Sequence, residues 1–204
     1  MALTALVMAG GKATRMGSGV EKPLLEIDGV PMIQLVIEAL RASKSVDRII
    51  VAVSPRNMRV TGKAGELGAE VIETPGSGYE NDMKIAIKQL GLADVLVVSA
   101  DLPFLTSAMV DGAFQAFRSS GKPALSVMCR HGVFEKLNLQ PSYVFEVEGK
   151  KLVPIGLNIL DGTKIDEPFL EETTLVTDSE QLAVNVNTPE ELEVARRLAK
   201  QRSD

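Results

Sequence analysis

A short apolar run that ends in a glycine-rich loop constrains this chain more than any other feature. Residues 3–8 are almost entirely apolar, and Ala9, Gly10 and Gly11 follow directly. Three cations come soon after these glycines: Lys12, Arg15 and Lys22. Glycines let backbone N–H groups approach phosphate oxygens, and nearby cations offset the phosphate charge. The pattern predicts a strand that leads into a phosphate-binding loop.

The spacing excludes two commoner phosphate-binding loops. The segment has neither the Gly-x-x-x-x-Gly-Lys-Ser/Thr pattern of a P-loop nor the Gly-x-Gly-x-x-Gly pattern of a dinucleotide fingerprint. A strand-to-helix turn that needs glycines only for flexibility is the structural alternative. The joint occurrence of two glycines, Arg15 and the Lys22-Pro23 pair favours phosphate binding.

Composition excludes several other classes. The chain has 204 residues, of which 45% are hydrophobic, so it can bury one core and we expect a single domain over residues 1–204. A formal net charge of -5 argues against an extended nucleic-acid surface. No stretch reaches the roughly 18 apolar residues of a membrane span, and no basic segment precedes a hydrophobic run near residue 1. We therefore expect a cytoplasmic protein.

Apolar runs alternate with helical patterns. The runs at 3–8, 48–53, 69–72 and 95–99 are nearly apolar on both faces, as strands of a buried parallel sheet are. Helical patterns are expected at 31–42, 57–67, 80–90, 107–119 and 189–202. This order predicts an α/β fold, a doubly wound and mostly parallel Rossmann-like sheet with helices on both faces. Ligands bind at the carboxyl ends of the strands in such a sheet.

The second half of the sequence is less regular. Residues 124–128, 142–147 and 155–160 have strand-like composition, and Glu148-Gly149-Lys150 suits a hairpin turn between the strand-like stretches 143–145 and 151–153. Residues 183–187 are expected to form a further strand that leads into the last helix. We expect the irregular part to be an insertion on the same sheet.

Oxygen ligands for a divalent ion occur near two predicted strand ends. Asp101 follows a predicted strand and should lie at the same edge as the glycine loop. Asn185 and Asn187 alternate onto one side of the last predicted strand. Mg²⁺ prefers carboxylate or amide oxygens together with phosphate oxygens and water, so Asp101 is a candidate ligand. The alternative is that Asp101 caps a helix, although Thr106 is better placed for that role.

Two further loops are weaker candidates. Ser54 and Pro55 follow the second predicted strand. The loop after the third strand contains Thr74, Gly76 and Gly78, whose glycines would let open backbone face a planar base. An ordinary flexible loop explains this composition equally well.

Taken together, these motifs resemble one family, the archaeal GTP:adenosylcobinamide-phosphate guanylyltransferases of the MobA-like nucleotidyltransferase superfamily. The similar segments are 9–17, 20–24, 54–55, 74–79, 152–158 and 185–188. The Gly-Gly-x-x-x-Arg-Met-Gly and Lys-Pro-Leu patterns belong to the wider superfamily. Pro-Gly-Ser-Gly-Tyr together with Val-Pro-x-Gly-x-Asn is more particular to this family.

The resemblance implies transfer of GMP from GTP to adenosylcobinamide phosphate, with pyrophosphate as the leaving group and Mg²⁺ as the cofactor. We expect residues 1–105 to bind mainly the nucleotide and residues 106–204 mainly the acceptor. The expected catalytic residues are Lys12, Arg15 and Lys22. The expected nucleotide-binding residues are these three with Ala9, Gly10, Gly11, Ser54, Pro55, Thr74, Gly76 and Gly78. The expected acceptor-binding residues are Pro154, Gly156 and Asn158. Asp101 is the expected metal ligand, and the resemblance adds Asn187 as the second.

Three alternatives stay open on the sequence. They are a molybdenum-cofactor guanylyltransferase, a cytidylyl- or uridylyltransferase acting on a sugar or alcohol phosphate, and a non-catalytic GTP-binding module. The expected partners are GTP and a phosphorylated corrinoid, with no nucleic acid. A homodimer is one candidate assembly, which the sequence does not decide.

Overall fold

The computed structural model describes residues 3–17 and 19–203, without the side chains of residues 202 and 203. The strands are β1 (Leu3–Met8), β2 (Glu26–Ile27), β3 (Val30–Pro31), β4 (Val46–Val53), β5 (Glu70–Glu73), β6 (Asp94–Ser99), β7 (Ala124–Arg130), β8 (Phe145–Val147), β9 (Lys150–Asp161) and β10 (Glu172–Thr177). The helices are α1 (Met32–Arg41), α2 (Met58–Glu66), α3 (Tyr79–Leu90), α4 (Ser107–Ser120), α5 (His131–Leu137), α6 (Glu180–Ala183) and α7 (Pro189–Ser203). Short 3₁₀ turns occur at Thr14–Met16, Lys22–Leu24 and Gly162–Lys164.

One eight-stranded sheet organises the described chain. Its order is β10-β7-β9-β6-β1-β4-β5, with β8 paired to β9, while β2 and β3 form a separate hairpin. Strands β1, β4, β5 and β6 are parallel, and β7 is parallel to β10. Strand β9 is antiparallel to β6, β7 and β8. The predicted mostly parallel α/β sheet is therefore confirmed, with β9 running against the other strands.

Helices cover both faces of this sheet, which explains the apolar strands. Alternation along β1 places Ala5 and Val7 in a large core with α1, α2, α4 and α7, and Leu6 in a smaller core on the other face. Helix α3 covers that second face through Ala86 and Ile87. Because both sides of β1 are buried, an amphipathic alternation would place polar groups in a core.

The sequence-based boundaries agree closely with the structure over the first half, and the helices expected at 107–119 and 189–202 are also present. The hairpin turn is confirmed, since Glu148 and Gly149 both have positive φ between β8 and β9. The prediction of a strand at 183–187 is wrong. Ala183 ends helix α6 and residues 184–187 join no sheet, although Val186 N donates to Asp101 O at 3.1 Å. The expected alternation of sides still holds, with Val184 and Val186 buried.

Gly162 lies where the chain leaves β9, in a position with no room for a side chain. A Cβ atom there would lie 2.3 Å from the carbonyl oxygen of Leu92 and 2.8 Å from Ile87 Cγ2. The Gly162 N–H donates to the carbonyl of Ala93 at 2.8 Å. The close packing thus fixes the turn after β9 against the end of α3.

Gly162→Ala is therefore expected to lower the free energy of unfolding by about 3 kcal/mol, because the added methyl group forces backbone atoms apart. Gly112→Ala is the matched control, since Gly112 lies in α4 with nothing within 4 Å of the added Cβ. The control should be neutral or stabilising by up to about 1 kcal/mol. Urea unfolding of both variants makes the comparison, and equal stabilities would contradict the packing described.

Candidate active site

The carboxyl ends of the parallel strands surround a cavity of about 470 Å³. The loop after β1, the loop after β5 and the residues after β6 form its walls, together with the segment before α7. Many of the sequence-predicted residues line it, namely Ala9, Gly10, Gly11, Lys12, Lys22, Thr74, Gly76, Gly78, Asp101 and Asn187. Loops from one edge of a parallel sheet converge in this way because the strands end together.

Lys22 joins two distant parts of the chain in this cavity. Its Nζ donates to the carboxylate of Asp101 and to Asn187 Oδ1, the latter at 2.9 Å. Lys22 opens a 3₁₀ turn in which Pro23 is buried, and this turn fixes the backbone that carries the lysine. The ammonium group of Lys22 therefore lies between the carboxylate that follows β6 and the amide that precedes α7.

Asp101 keeps one carboxylate oxygen without a protein partner. The residue is only 7% exposed, and Oδ1 makes no hydrogen bond within the described chain. A buried acceptor without a donor costs about 1–3 kcal/mol, and more when it is charged. Such an oxygen is suited to a cation or a hydrogen-bond donor supplied by a ligand.

Asn187 is fixed by a reciprocal helix cap. Its backbone N–H donates to Glu191 Oε2 at 2.5 Å, and the Thr188 N–H donates to the same oxygen at 2.9 Å. In return, Glu191 N donates to Thr188 Oγ1 at 3.2 Å. This capping box starts α7 at Pro189, the first residue of the helix expected at 189–202. Burial raises the pKa of Glu191, and the two backbone N–H groups oppose that rise.

A second cavity, of about 720 Å³, adjoins the first. Four polar residues line both cavities: Tyr79, Ser99, Asn185 and Asn187. The predicted acceptor residues line only the second cavity: Pro154, Gly156 and Asn158. Arg15, which was expected among the nucleotide-binding residues, also lines the second cavity, and its Nη1 donates to Ser142 Oγ at 3.2 Å.

Gly156 brings β9 close to the junction of the two cavities. Residues 155–157 lie opposite the single residue Val127 of β7, so β9 bulges here, and Gly156 has φ +77°. A Cβ atom at this position would lie 2.8 Å from Ser99 Oγ. The glycine is therefore required both by the backbone conformation and by the contact with Ser99.

Several residues of the site were not found from the sequence. Ser99 and Tyr79 line both cavities, and Asp82 lines the first. Asp82 is buried and its Oδ1 accepts from Gly76 N at 3.1 Å and Ser77 N at 3.2 Å, which fixes the glycine loop after β5. Burial and the charge of Asp101 raise the pKa of the Tyr79 phenol, so its neutral O–H form is favoured. The Pro-Gly-Ser-Gly-Tyr motif was the available signal for Tyr79.

Two predicted residues lie outside both cavities. Ser54 is buried and its Oγ donates to Asn57 Oδ1 at 2.6 Å. It packs beneath the glycine loops, since a Cβ on Gly10 would lie 3.1 Å from Ser54 N and a Cβ on Gly76 would lie 3.0 Å from Ser54 Cβ. Pro55 is exposed and lines neither cavity. Ser54 therefore supports the loops from below.

Metal-binding clusters and membrane helices were also sought in the described part of the chain. It contains no group of three or more His, Cys, Asp or Glu side chains placed to hold a metal ion. None of its helices is long and apolar enough to cross a bilayer.

A mostly parallel sheet with a cationic glycine loop, a strand-end carboxylate and two adjoining cavities is the arrangement of a nucleotidyltransferase. The chain belongs to the family described as the MobA-like NTP transferase domain, whose model matches residues 5–148. This membership shows that the protein is an enzyme of the nucleotidyltransferase class.

Two relatives match over nearly the full chain. The adenosylcobinamide-phosphate guanylyltransferase of Methanocaldococcus jannaschii is 32% identical over 97% of this chain and 98% of its own. A probable molybdenum cofactor guanylyltransferase of Thermococcus gammatolerans is 30% identical over 91% of this chain and 95% of its own. Guanylyl transfer is thus common to both relatives, while their named acceptors differ.

Solved structures support the fold. A CMP:2-keto-3-deoxy-manno-octonic acid synthetase complexed with CTP has a TM-score of 0.78 at 19% identity, covering 98% of this chain and 99% of its own. The molybdopterin-guanine dinucleotide biosynthesis protein A of Archaeoglobus fulgidus has a TM-score of 0.69 at 16% identity, covering 98% of this chain and 100% of its own. At these identities the likeness establishes a shared Rossmann-like architecture.

The capping box allows a test that separates stability from function. Glu191→Ala and Thr188→Ala should each lower the free energy of unfolding by about 1 kcal/mol, because each removes half of the cap. Only Glu191→Ala also releases the backbone N–H of Asn187. Turnover should therefore fall several-fold more in Glu191→Ala than in Thr188→Ala, as steady-state kinetics and urea unfolding would measure. Equal turnover in the two variants would show that the cap does not position Asn187.

Proposed function

We propose that this protein transfers GMP from GTP to adenosylcobinamide phosphate and releases pyrophosphate. The observation that carries the proposal is the meeting of two cavities at Ser99, Asn185 and Asn187, where Asn187 is hydrogen-bonded to Lys22 of the first cavity. The first cavity has the glycine loop that suits a triphosphate, and the second is larger and suits a bulky acceptor. The full-length match to the Methanocaldococcus jannaschii guanylyltransferase supports this choice of acceptor.

In this proposal the first cavity binds GTP. The N–H groups of Gly10 and Gly11 face the phosphates, and exposed Lys12 neutralises them. The loop that carries Gly76 and Gly78 holds the base, and Asp82 keeps that loop in place. Arg15 faces the second cavity, so we assign it to the charge of the incoming acceptor phosphate.

The proposed reaction is an in-line displacement at the α-phosphorus. An oxygen of the acceptor phosphate forms a bond to this phosphorus. The bond from the phosphorus to the oxygen bridging the α- and β-phosphates breaks, and pyrophosphate leaves with the electron pair. A phosphate monoester is already anionic at neutral pH, so no general base is required. Catalysis then depends on positioning and on neutralising charge, which is the role we assign to Lys22.

The residues present also fit a magnesium ion. Asp101 Oδ1 is a buried carboxylate oxygen without a protein partner. The amide oxygen of Asn187 accepts from Lys22, which also donates to the Asp101 carboxylate. We propose that these two residues hold Mg²⁺ in the presence of the nucleotide, since Mg²⁺ binds through few protein oxygens together with phosphates and water. The ion would supply charge neutralisation at the phosphates.

A molybdenum-cofactor guanylyltransferase is the second candidate function, because the Thermococcus gammatolerans relative also covers most of the chain. The two functions share the nucleotide and differ in the acceptor. The same geometry would serve either acceptor phosphate at Asn185 and Asn187.

Acceptor choice can be measured directly. The protein is incubated with Mg²⁺, each of the four nucleoside triphosphates, and either cobinamide phosphate or molybdopterin, and the products are weighed by mass spectrometry. We expect one major product, cobinamide linked to GDP, and its loss when Mg²⁺ is chelated. A product with molybdopterin alone would establish the second function, and a pyrimidine nucleotide in the product would refute guanylyl transfer.

Lys22→Ala is expected to lower kcat by about 10²–10³-fold, because a cation beside the α-phosphate matters most when charge develops in the transition state. GTP affinity, measured by calorimetric titration, should fall much less. Lys12→Ala is the control, since Lys12 lies on the exposed side of the same cavity and should affect GTP affinity and kcat to similar extents. Equal losses of kcat and affinity in Lys22→Ala would reduce Lys22 to a binding residue.

A further inference from the structure

Within the described residues, one side of strand β9 has a stretch that pairs with no other strand. Its first side pairs with β7 from Leu152 to Leu160. Its second side pairs with β6 from Leu157 to Asp161 and with β8 from Lys150 to Leu152. Leu152 pairs with both β7 and β8, which places β8 on the β6 side of β9. Residues 153–156 therefore span a gap of about 13 Å between the end of β6 and the start of β8.

The second cavity lies over this gap. All four residues 153–156 line it, so the unpaired part of β9 forms its floor. At the β6 end lie Ser99 and the two asparagines that also face the nucleotide cavity. At the β8 end lie Tyr143, which precedes β8, and Phe145, the first residue of β8. The cavity thus has a polar end beside the reaction centre and an aromatic end beyond it.

The segment 143–145, which leads into β8 and is called the hairpin segment below, exposes three apolar side chains. Tyr143 is 70% exposed and Phe145 is 49% exposed, with Val144 between them at 45%. Neighbouring apolar side chains left in water at the mouth of a cavity are typical of a ligand contact. Arg15 is hydrogen-bonded to the adjacent Ser142, so the hairpin segment also lies beside the loop after β1.

We propose that Tyr143 and Phe145 bind the apolar body of the acceptor, and that the acceptor is a phosphate monoester with a large ring system. This inference rests on the proposed function and adds to it the residues that select the acceptor. The acceptor phosphate lies at the polar end of the cavity, and its ring system crosses the gap to the aromatic side chains. A small or purely polar phosphate would leave these side chains in water.

A second copy of this chain is a poorer occupant of the hairpin segment. A stable interface buries about 800 Å² on each partner. A fully buried aromatic side chain contributes about 150–250 Å². The two aromatic residues and one valine of the hairpin segment fall below that requirement. Their continuity with the reaction cavity instead favours a ligand that occupies both.

Cobinamide, the corrinoid body without the phosphate, is the direct probe. Its binding to GTP-loaded protein is measured by equilibrium dialysis and corrinoid absorbance for the wild type, Tyr143→Ser, Phe145→Ser and the double variant. We expect each single variant to bind several-fold more weakly and the double variant at least tenfold more weakly. GTP affinity should be unchanged. Phe169→Ser is the matched control, because Phe169 is 75% exposed and lines neither cavity, so cobinamide binding should be unchanged.

Three results would overturn the proposal. They are an unchanged cobinamide affinity in the double variant, an equal loss in the Phe169→Ser control, and a wild type with no measurable corrinoid binding. Sedimentation of the same variants adds a fourth, since dissociation of a dimer with unchanged corrinoid affinity would assign the hairpin segment to a second copy. Thermal unfolding confirms that each variant is folded.

The transfer assay with cobinamide phosphate distinguishes this inference from the proposed function. A wild type that transfers GMP, with variants that keep full corrinoid affinity, overturns the role of the hairpin segment and leaves the reaction standing. A wild type that binds cobinamide through the two aromatic residues but transfers no GMP overturns the reaction and leaves the binding role standing.

Discussion

One partly buried ammonium group, that of Lys22, connects three segments of the site. Lys22 bonds to Asp101, 79 residues away, and to Asn187, 165 residues away. Two backbone hydrogen bonds join the same segments, from Ala100 N to Met8 O and from Val186 N to Asp101 O. A lysine and an aspartate so far removed from water must be paired, because either charge alone would be costly. The Lys22 hydrogen bonds hold three segments together, and among the buried side-chain nitrogen and oxygen atoms of the described chain only Asp101 Oδ1 has no protein partner.

Much of the nucleotide side could be predicted because its signals are local. A run of apolar residues followed by Gly10 and Gly11 specifies both a buried strand and its loop. Asp101 follows another such strand, and strand ends in a parallel sheet share one edge. These rules bring Asp101 and the glycine loop together without knowledge of any distance. The same rules do not account for Asn187, since the segment that carries it joins no sheet. Its metal-ligand role was expected from the family resemblance.

The shape of the second cavity could not be predicted because it depends on pairing between distant segments. The sequence shows β9 as two separate strand-like stretches, and only its pairing with β6 and β7 reveals one long strand running the other way. β10 was missed since it lies at the sheet edge, where a polar sequence such as Glu-Thr-Thr is tolerated. The position of Arg15 beside Ser142 likewise follows from where the hairpin segment lies, which local spacing does not encode.

The interrupted pairing of β9 has an evolutionary consequence. In the proposed function the parallel strands and their loops bind the nucleotide, whereas the acceptor contacts β8, whose strand pairing is with β9. The exposed Tyr143 and Phe145 could change without disturbing the core of the sheet. A lineage could therefore exchange one phosphorylated partner for another while keeping its donor chemistry. That freedom accords with full-length relatives whose names share a guanylyltransferase activity and differ in the molecule modified.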